Sequence, residues 1–278
     1  MKKYLLSLVL VLVAWMPLSA QSLASSRFEE RSLSLGGGLT NMLDTYLSPL
    51  RYGGAHVALM SEHFSQVATP SNRWFVQSLL HLHADYATPA SVNGLTIGGM
   101  ADYSYTYYYN IPISSQALSL YVGPQGQLRI GGLYNLRNAN NPAQLKLGIN
   151  LAASAMARYA FTLWSTPMNV RLQADLPLVG TAFGPDYGQS YYEIFYLGQS
   201  EGCVHMTSLH NNLSLRTYLS YDLQLRPCTL RLTLANDLYQ WTLSNQHYRM
   251  FTHSVMLGVV KNLYRVVRDE EASRYIPY

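Results

Sequence analysis

From Gln144 to Trp164 the chain alternates strictly between two kinds of side chain. Leu145, Leu147, Ile149, Leu151, Ala153, Ala155, Ala157, Tyr159, Phe161 and Leu163 take the odd positions, and Lys146, Asn150, Ser154, Arg158 and Thr162 fall among the even ones. Side chains on a strand point to opposite faces at successive positions, so this run predicts a strand with one apolar and one polar face. At about 3.3 Å per residue it would reach roughly 70 Å. A strand crossing a bilayer needs only about 9–11 tilted residues. The run is either one very long strand or two with a weak break near Ala152–Ala157.

The same rhythm recurs along the chain. Ser32 to Leu39 is a Gly-rich first strand, and Tyr52 to Val67 a weaker second. In Phe75 to Tyr86, apolar Val76, Leu80, Leu82 and Ala84 oppose Gln77, His81, His83 and Asp85. In Leu95 to Tyr109, Ile97, Tyr103, Tyr105, Tyr107 and Tyr109 oppose Asp102, Ser104 and Thr106. Gln116 to Val122 and Gln127 to Asn135 read as two short strands joined at Gly123–Pro124–Gln125–Gly126, because proline is disfavoured inside a ladder. Asn169 to Leu178, Leu213 to Leu225, Thr229 to Trp241 and Met250 to Tyr264 follow, with Tyr191–Leu197 open as a further strand. The expected fold is all-β, an antiparallel up-and-down transmembrane β-barrel of about 10–12 strands with lipid outside and polar side chains within. A soluble β-sandwich or lipocalin-like barrel alternates too, but turns its polar face to water. Here the polar faces are too poor in charge for that.

Composition supports this reading. Charged residues make up 12% of the chain, against about 25% in typical soluble domains. The 23 Tyr suit aromatic girdles at the two edges of a membrane. Met1–Lys2–Lys3, then an apolar run from Tyr4 to Ala14, then Leu18–Ser19–Ala20, has the layout of a cleaved signal peptide over residues 1–20. Residues 21–278 then form one barrel domain. Arg265 to Tyr278 is poor lipid-facing material and is expected as a periplasmic tail. The net charge of +4 gives no reason to invoke nucleic acid. Cys203 and Cys228 flank one strand, so they are expected at opposite barrel ends, too far apart for a disulfide.

Two groups of residues could carry chemistry. Alternation turns Asp85, Asp102, Lys146, Arg158, Arg171, Asp175, Arg216, Asp222 and Arg231 inward, with His81 and His83. Such a set either fills a narrow lumen as a network of ion pairs or lines a pore and sets its selectivity. Lys146 and Lys261 are the only lysines beyond the leader, against 15 Arg, and arginine forks favour the paired network. His81 and His83 lack a third ligand at a telling spacing, and no metal or other cofactor is indicated. The second group lies in the long segment Gly180 to His210, which also holds Glu201, His205 and Ser208. A serine, a histidine and a carboxylate are the minimum for a hydrolase, but no catalytic pattern surrounds them.

Tyr134–Asn135–Leu136–Arg137–Asn138–Ala139–Asn140–Asn141–Pro142–Ala143 resembles a YNLRNxNNPA motif of a family of secreted, barrel-like Gram-negative proteins, filed as a domain of unknown function. Pro185-x-Tyr187–Gly188–Gln189–Ser190–Tyr191–Tyr192–Glu193–Ile194–Phe195 resembles its second motif, and Gly258 to Tyr264 its closing strand. The resemblance implies a barrel in the outer membrane and no activity. Arg137, Asp186, Tyr187, Gln189, Tyr191 and Glu193 form a candidate loop site, in which Arg137 could pair with Glu193 or Asp186. The expected function is a narrow channel, or a packed barrel with a binding loop. The alternatives are an outer-leaflet lipid-modifying hydrolase and a soluble periplasmic lipid-binding protein. The expected partners are membrane lipid and a small solute or lipid ligand.

Overall fold

The computed structural model describes residues 28–264 except 68, 92, 116, 165, 226 and 227. The expected leader and tail lie outside the described residues. Eleven strands run in chain order: β1 (Phe28–Asp44), β2 (Ser48–Gln66), β3 (Trp74–Pro89), β4 (Thr96–Ile111), β5 (Leu118–Asn135), β6 (Ala143–Leu163), β7 (Thr166–Phe183), β8 (Val204–Ser208), β9 (Leu215–Gln224), β10 (Thr229–Leu243) and β11 (Gln246–Tyr264). One short helix, α1 (Tyr191–Phe195), lies between β7 and β8. Each strand pairs antiparallel with the next in the chain except β8 with β9, and β1 pairs with β11, so the sheet closes on itself. β8 pairs with the end of β7 and β9 with its beginning, so together they fill one position in a ten-strand wall.

The register fixes the geometry of the wall. Starting at Leu147 and crossing strand to strand, the paired residues are Ile130, Ala101, Leu82, Leu59, Leu35, Leu257, Leu232, Tyr221 and Val170. The path returns to β6 at Tyr159, twelve residues beyond Leu147. With ten strands and the usual strand spacings, that stagger tilts the strands by about 40°. Every residue on this path is apolar and outward. The soluble alternative needed these faces inside.

The long run from Gln144 is one strand of 21 residues, without a break. The two short strands expected around Gly123–Pro124 are also one strand, and the hairpin reading is wrong. Pro124 lies opposite Ala153 of β6, while the pairing with β4 skips from Tyr109–Val122 to Thr106–Gln125. The gap falls where proline has no N–H to donate. At Gly123 a Cβ would sit 2.0 Å from the Tyr107 carbonyl oxygen, so this close approach requires glycine. Tyr191–Leu197 is not a strand, because Ser190 caps a helix there. Ser244 and Asn245, at φ 45° and 58°, make the two-residue turn between β10 and β11, the left-handed pair that a tight hairpin needs.

The turns 45–47, 136–142, 184–203 and 244–245 gather at one end, here the rim. Both termini of the described chain lie at the other end. Cys203 at the rim and Cys228 at the far end are both free.

Candidate functional site: the packed lumen and the rim loop

Inward side chains fill the barrel in layers. Near the terminal end, Arg231 donates to Asp222 through Nε (2.6 Å) and Nη2 (2.8 Å), to Glu62 (2.7 Å) and Ser32 (3.2 Å) through Nη1, and to Glu30 through Nη2 (2.7 Å). All five guanidinium donors are spent. Arg171 takes Glu62 in a two-point grip, Nη2 to Oε2 at 2.8 Å with Nη1 on Oε1. Arg158 holds Glu30. Three arginines thus face three carboxylates, Glu30, Glu62 and Asp222. Charges withdrawn from water need such pairing. Beside them Phe64, Phe75, Tyr108, Tyr121 and Met156 make an apolar cluster. Arg158 bridges the two halves, its Cζ 5.1 Å from the Phe64 ring centre.

A second apolar layer follows, with Met60, Leu79, Tyr218 and Met256. Above it Arg129 donates to Asp102 through Nε (2.5 Å) and Nη2 (3.0 Å) and pairs with Asp237, while Arg216 donates to Asp102 at 2.7 Å. Two cations again face two anions. Arg129 stacks on Tyr239, 3.7 Å from its centre, an added cation–π contact. Nearest the rim, Lys146 Nζ meets Asp44 at 2.7 Å and lies 3.7 Å over the Tyr248 ring. His83 Nδ1 bonds Asp85 at 2.7 Å, and His81 packs beside His83. Among the described residues no group of three or more His, Cys, Asp or Glu could hold a metal.

Each of the nine residues that alternation turned inward lies in this lumen. Asp175 differs from the rest, being held by Ser154 (2.5 Å) and Gln173 (3.1 Å) rather than by a cation. Sequence reasoning missed Asp44, Glu30, Glu62, Arg129 and Asp237. Parity could have found Asp237, which is six positions from Arg231 on the same strand face.

The rim loop is pinned at many points. Tyr46 donates its hydroxyl to the Gln189 carbonyl at 2.9 Å. Burial, with Asp44 nearby, pushes that hydroxyl up to about 12. The Tyr191 hydroxyl accepts the Leu145 N–H at 2.6 Å, a donor that β7 no longer reaches because it pairs with β6 only from Leu147. Gln189 passes a hydrogen bond from its Nε2 to the Gln199 carbonyl at 2.7 Å and accepts the Cys203 thiol at 3.4 Å. Arg137 does not pair with either carboxylate, contrary to expectation. Its Nη1 donates to the Asn93 carbonyl at 3.0 Å. Asp186 is taken by the Ser244 hydroxyl at 2.5 Å, and Glu193 by the Ser190 N–H at 2.6 Å. The β10–β11 turn takes the first carboxylate and the helix cap the second. Tyr187, 80% exposed, stands free above the loop.

Ser244 also lies 3.3 Å from His205 Nε2, which brings a serine, a histidine and a carboxylate together at the rim. The connections differ from those of a hydrolase. The carboxylate binds the serine rather than orienting the histidine, and His205 Nε2 sits 2.9 Å from the Gly184 carbonyl. A nitrogen that donates to a carbonyl cannot accept the serine proton. The trio clasps the loop to the β10–β11 hairpin. Ser208 and His210 bond each other at 2.5 Å on the exposed surface, and among the described residues no ion pair joins a carboxylate to them.

Residues 4–270 match the model of a family described as a protein of unknown function, DUF3316. The chain belongs to this family. No curated protein matches it. Among solved structures it is similar to the transport unit of the autotransporter AIDA-I from Escherichia coli, at 7% identity, covering 94% of this chain and 97% of that one, TM-score 0.49. It is also similar to the outer membrane protease OmpT from Escherichia coli, at 6% identity with 88% and 100% covered, TM-score 0.46. A third is the translocator domain of the autotransporter NalP from Neisseria meningitidis, at 10% identity with 89% and 90% covered, TM-score 0.41. Likeness at this level carries nothing about activity.

The DUF3316 rim helix makes one prediction. Ser190 and Glu193 form a capping box, each side chain serving the other's backbone N–H. Those bonds to Ser190 hold the Glu193 carboxyl below its ordinary 4.5. A lowered folded value means the cap is fully present above the ordinary range and is lost as pH falls through the lowered one. Hydrogen-exchange protection of the Ser190 and Glu193 amides should therefore hold at neutral pH and be lost only as pH falls below 4.5. Loss of protection already at pH above that value would contradict it.

Proposed function

We propose that this protein is an outer-membrane barrel whose lumen is closed, and which acts through the surface of its rim loop rather than by conducting solutes. The observation that carries this reading is the filled interior. Charge-balanced groups of ion pairs alternate with apolar layers from one end to the other, and Arg171, Arg231, Phe64, Tyr108 and Met60 have essentially no exposed surface. A conducting pore needs a continuous wet path.

The outer wall supports the membrane part of the reading. On β1 the outward residues Leu33, Leu35, Gly37 and Leu39 lie between Arg31 and Asn41, and on β11 Phe251, Val255, Leu257 and Val259 lie between Arg249 and Lys261. Aromatics gather at both edges of this belt. Trp74 stacks on Tyr107 at 4.9 Å near the terminal end, and Tyr134, Tyr192, Phe195 and Tyr196 are exposed near the rim. Such girdles mark the two interfaces of a membrane barrel. His253, Asn236 and Thr217 interrupt the belt, but bond to one another across three strands at 2.8 and 3.2 Å. Mutual bonding is how polar groups are tolerated in lipid. The longest connection, 184–203, suits the cell exterior, where longer loops belong.

Planar-bilayer recording of the refolded protein tests the proposal. Insertion without single-channel steps is the expected result. Stable steps would overturn the closed lumen. A folded monomer in plain buffer that never inserts would overturn the membrane location.

A further inference from the structure

The lipid-facing wall is not evenly ridged. Across β3 to β6 one outward row runs Ala84, Gly99, Gly132 and Leu145, with the two glycines directly opposite each other. The row above it, toward the rim, runs Tyr86, Ile97 and Tyr134, and the row below runs Leu82, Ala101 and Ile130. Two facing glycines between rows of larger side chains leave a trough. α1 closes it at the β6 side, where Tyr191 and Phe195 stand against Leu145, and the groove so formed has a volume of about 550 Å³. That lies within the roughly 300–1,000 Å³ of small-molecule sites.

Polar groups occur at one edge only. The Tyr191 hydroxyl accepts the Leu145 N–H, and its own proton meets no acceptor among the described residues. Three positions beyond Tyr134, Arg137 stands on the loop that Leu136 ties to Leu95 at 2.9 Å. Only its Nη1 is engaged, on the Asn93 carbonyl. No ion pair takes the rest of its fork among the described residues. An apolar trough opening on the belt, with the Tyr191 hydroxyl in its wall and the Arg137 guanidinium on the loop that follows Tyr134, is complementary to a chain with an anionic head.

We propose that the groove seats one acyl chain of an anionic phospholipid, with Arg137 and Tyr191 turned toward the phosphate. The arginine fork matches phosphate geometry. The occupant follows from continuity: the groove opens on the surface that meets hydrocarbon under the membrane reading above, on which this inference rests. A protein segment in its place would leave the arginine without a partner unless it brought an acid of its own.

Native mass spectrometry of the refolded protein tests this, with phosphatidylglycerol or phosphatidylcholine of the same chains added singly. Gly99→Leu fills the trough, and its Cβ has room, the nearest atom being the His83 carbonyl oxygen at 3.9 Å. Gly126→Leu is the control, an outward glycine lower on β5 whose Cβ would meet nothing within 4 Å. Wild type and Gly126→Leu should each hold one phosphatidylglycerol, and Gly99→Leu should hold at least tenfold less. Arg137→Gln should lower phosphatidylglycerol to the level of phosphatidylcholine. Equal retention by wild type and Gly99→Leu overturns the site, as does a folded, inserted barrel that holds no lipid, and both leave the barrel reading intact. Failure of the wild type to enter bilayers overturns both.

Discussion

Arg231→Met should lower the stability of the folded barrel by about 3–5 kcal/mol, the usual cost of removing one member of a buried ion-pair network. The side chain has no exposed surface, and its five donors serve Asp222, Glu62, Ser32 and Glu30. Methionine fills the volume but supplies no proton. Asp222 would lose its two-point partner and keep a long 3.4 Å bond from Asn169. Glu30 and Glu62 would keep Arg158 and Arg171, so three carboxylates would face two cations. Urea unfolding of the refolded protein in micelles, followed by tyrosine and tryptophan fluorescence, measures the effect. Arg231→Met combined with Asp222→Asn should recover part of the loss, because the orphaned charge is removed with its partner. A single substitution costing less than about 1 kcal/mol, as for an exposed pair, would show that the network is hydrated.

Phe64→Ala should cost a similar amount, about 3–5 kcal/mol for a large side chain deleted from a packed core. Its ring stacks on Phe75 at 5.3 Å, meets Tyr121 edge-on at 5.6 Å and Phe28 at 6.0 Å, and carries the Arg158 guanidinium. It is the hub of the cluster that closes the terminal half of the lumen. The same unfolding measurement reads the loss. Phe64→Leu should cost clearly less, because it keeps most of the apolar volume and gives up only the ring contacts. Equal behaviour of the two variants would mean that shape, rather than burial, sets the effect.

Two-residue alternation told much of this in advance. The face of Lys146, Arg158, Arg171, Asp175, Arg216, Asp222 and Arg231 followed from parity alone, since a strand offers only two faces. Parity failed where something local overrode it. At Gly123–Pro124 a turn signature proved compatible with a strand, because the missing N–H fell at a gap in one ladder while the other ladder ran on. At Tyr191–Leu197 the aromatic, strand-like composition yielded to a capping box at Ser190 and Glu193. The pairing imagined for Arg137 failed because Ser244 and Ser190 reach the two carboxylates first.

The sequence by itself determined the period, and with it the closed-barrel class, the apolar exterior and the sign of each face. The tertiary structure alone decided which charges meet. Arg231 and Glu30 bond across 201 positions of chain, and Arg129 and Asp237 across 108. Those partners depend on the stagger of twelve residues around ten strands, a property of the closed sheet that no single strand contains. The trough beside α1 has the same origin. Gly99 and Gly132 are unremarkable on their own strands, and the register that sets them face to face makes a groove of them.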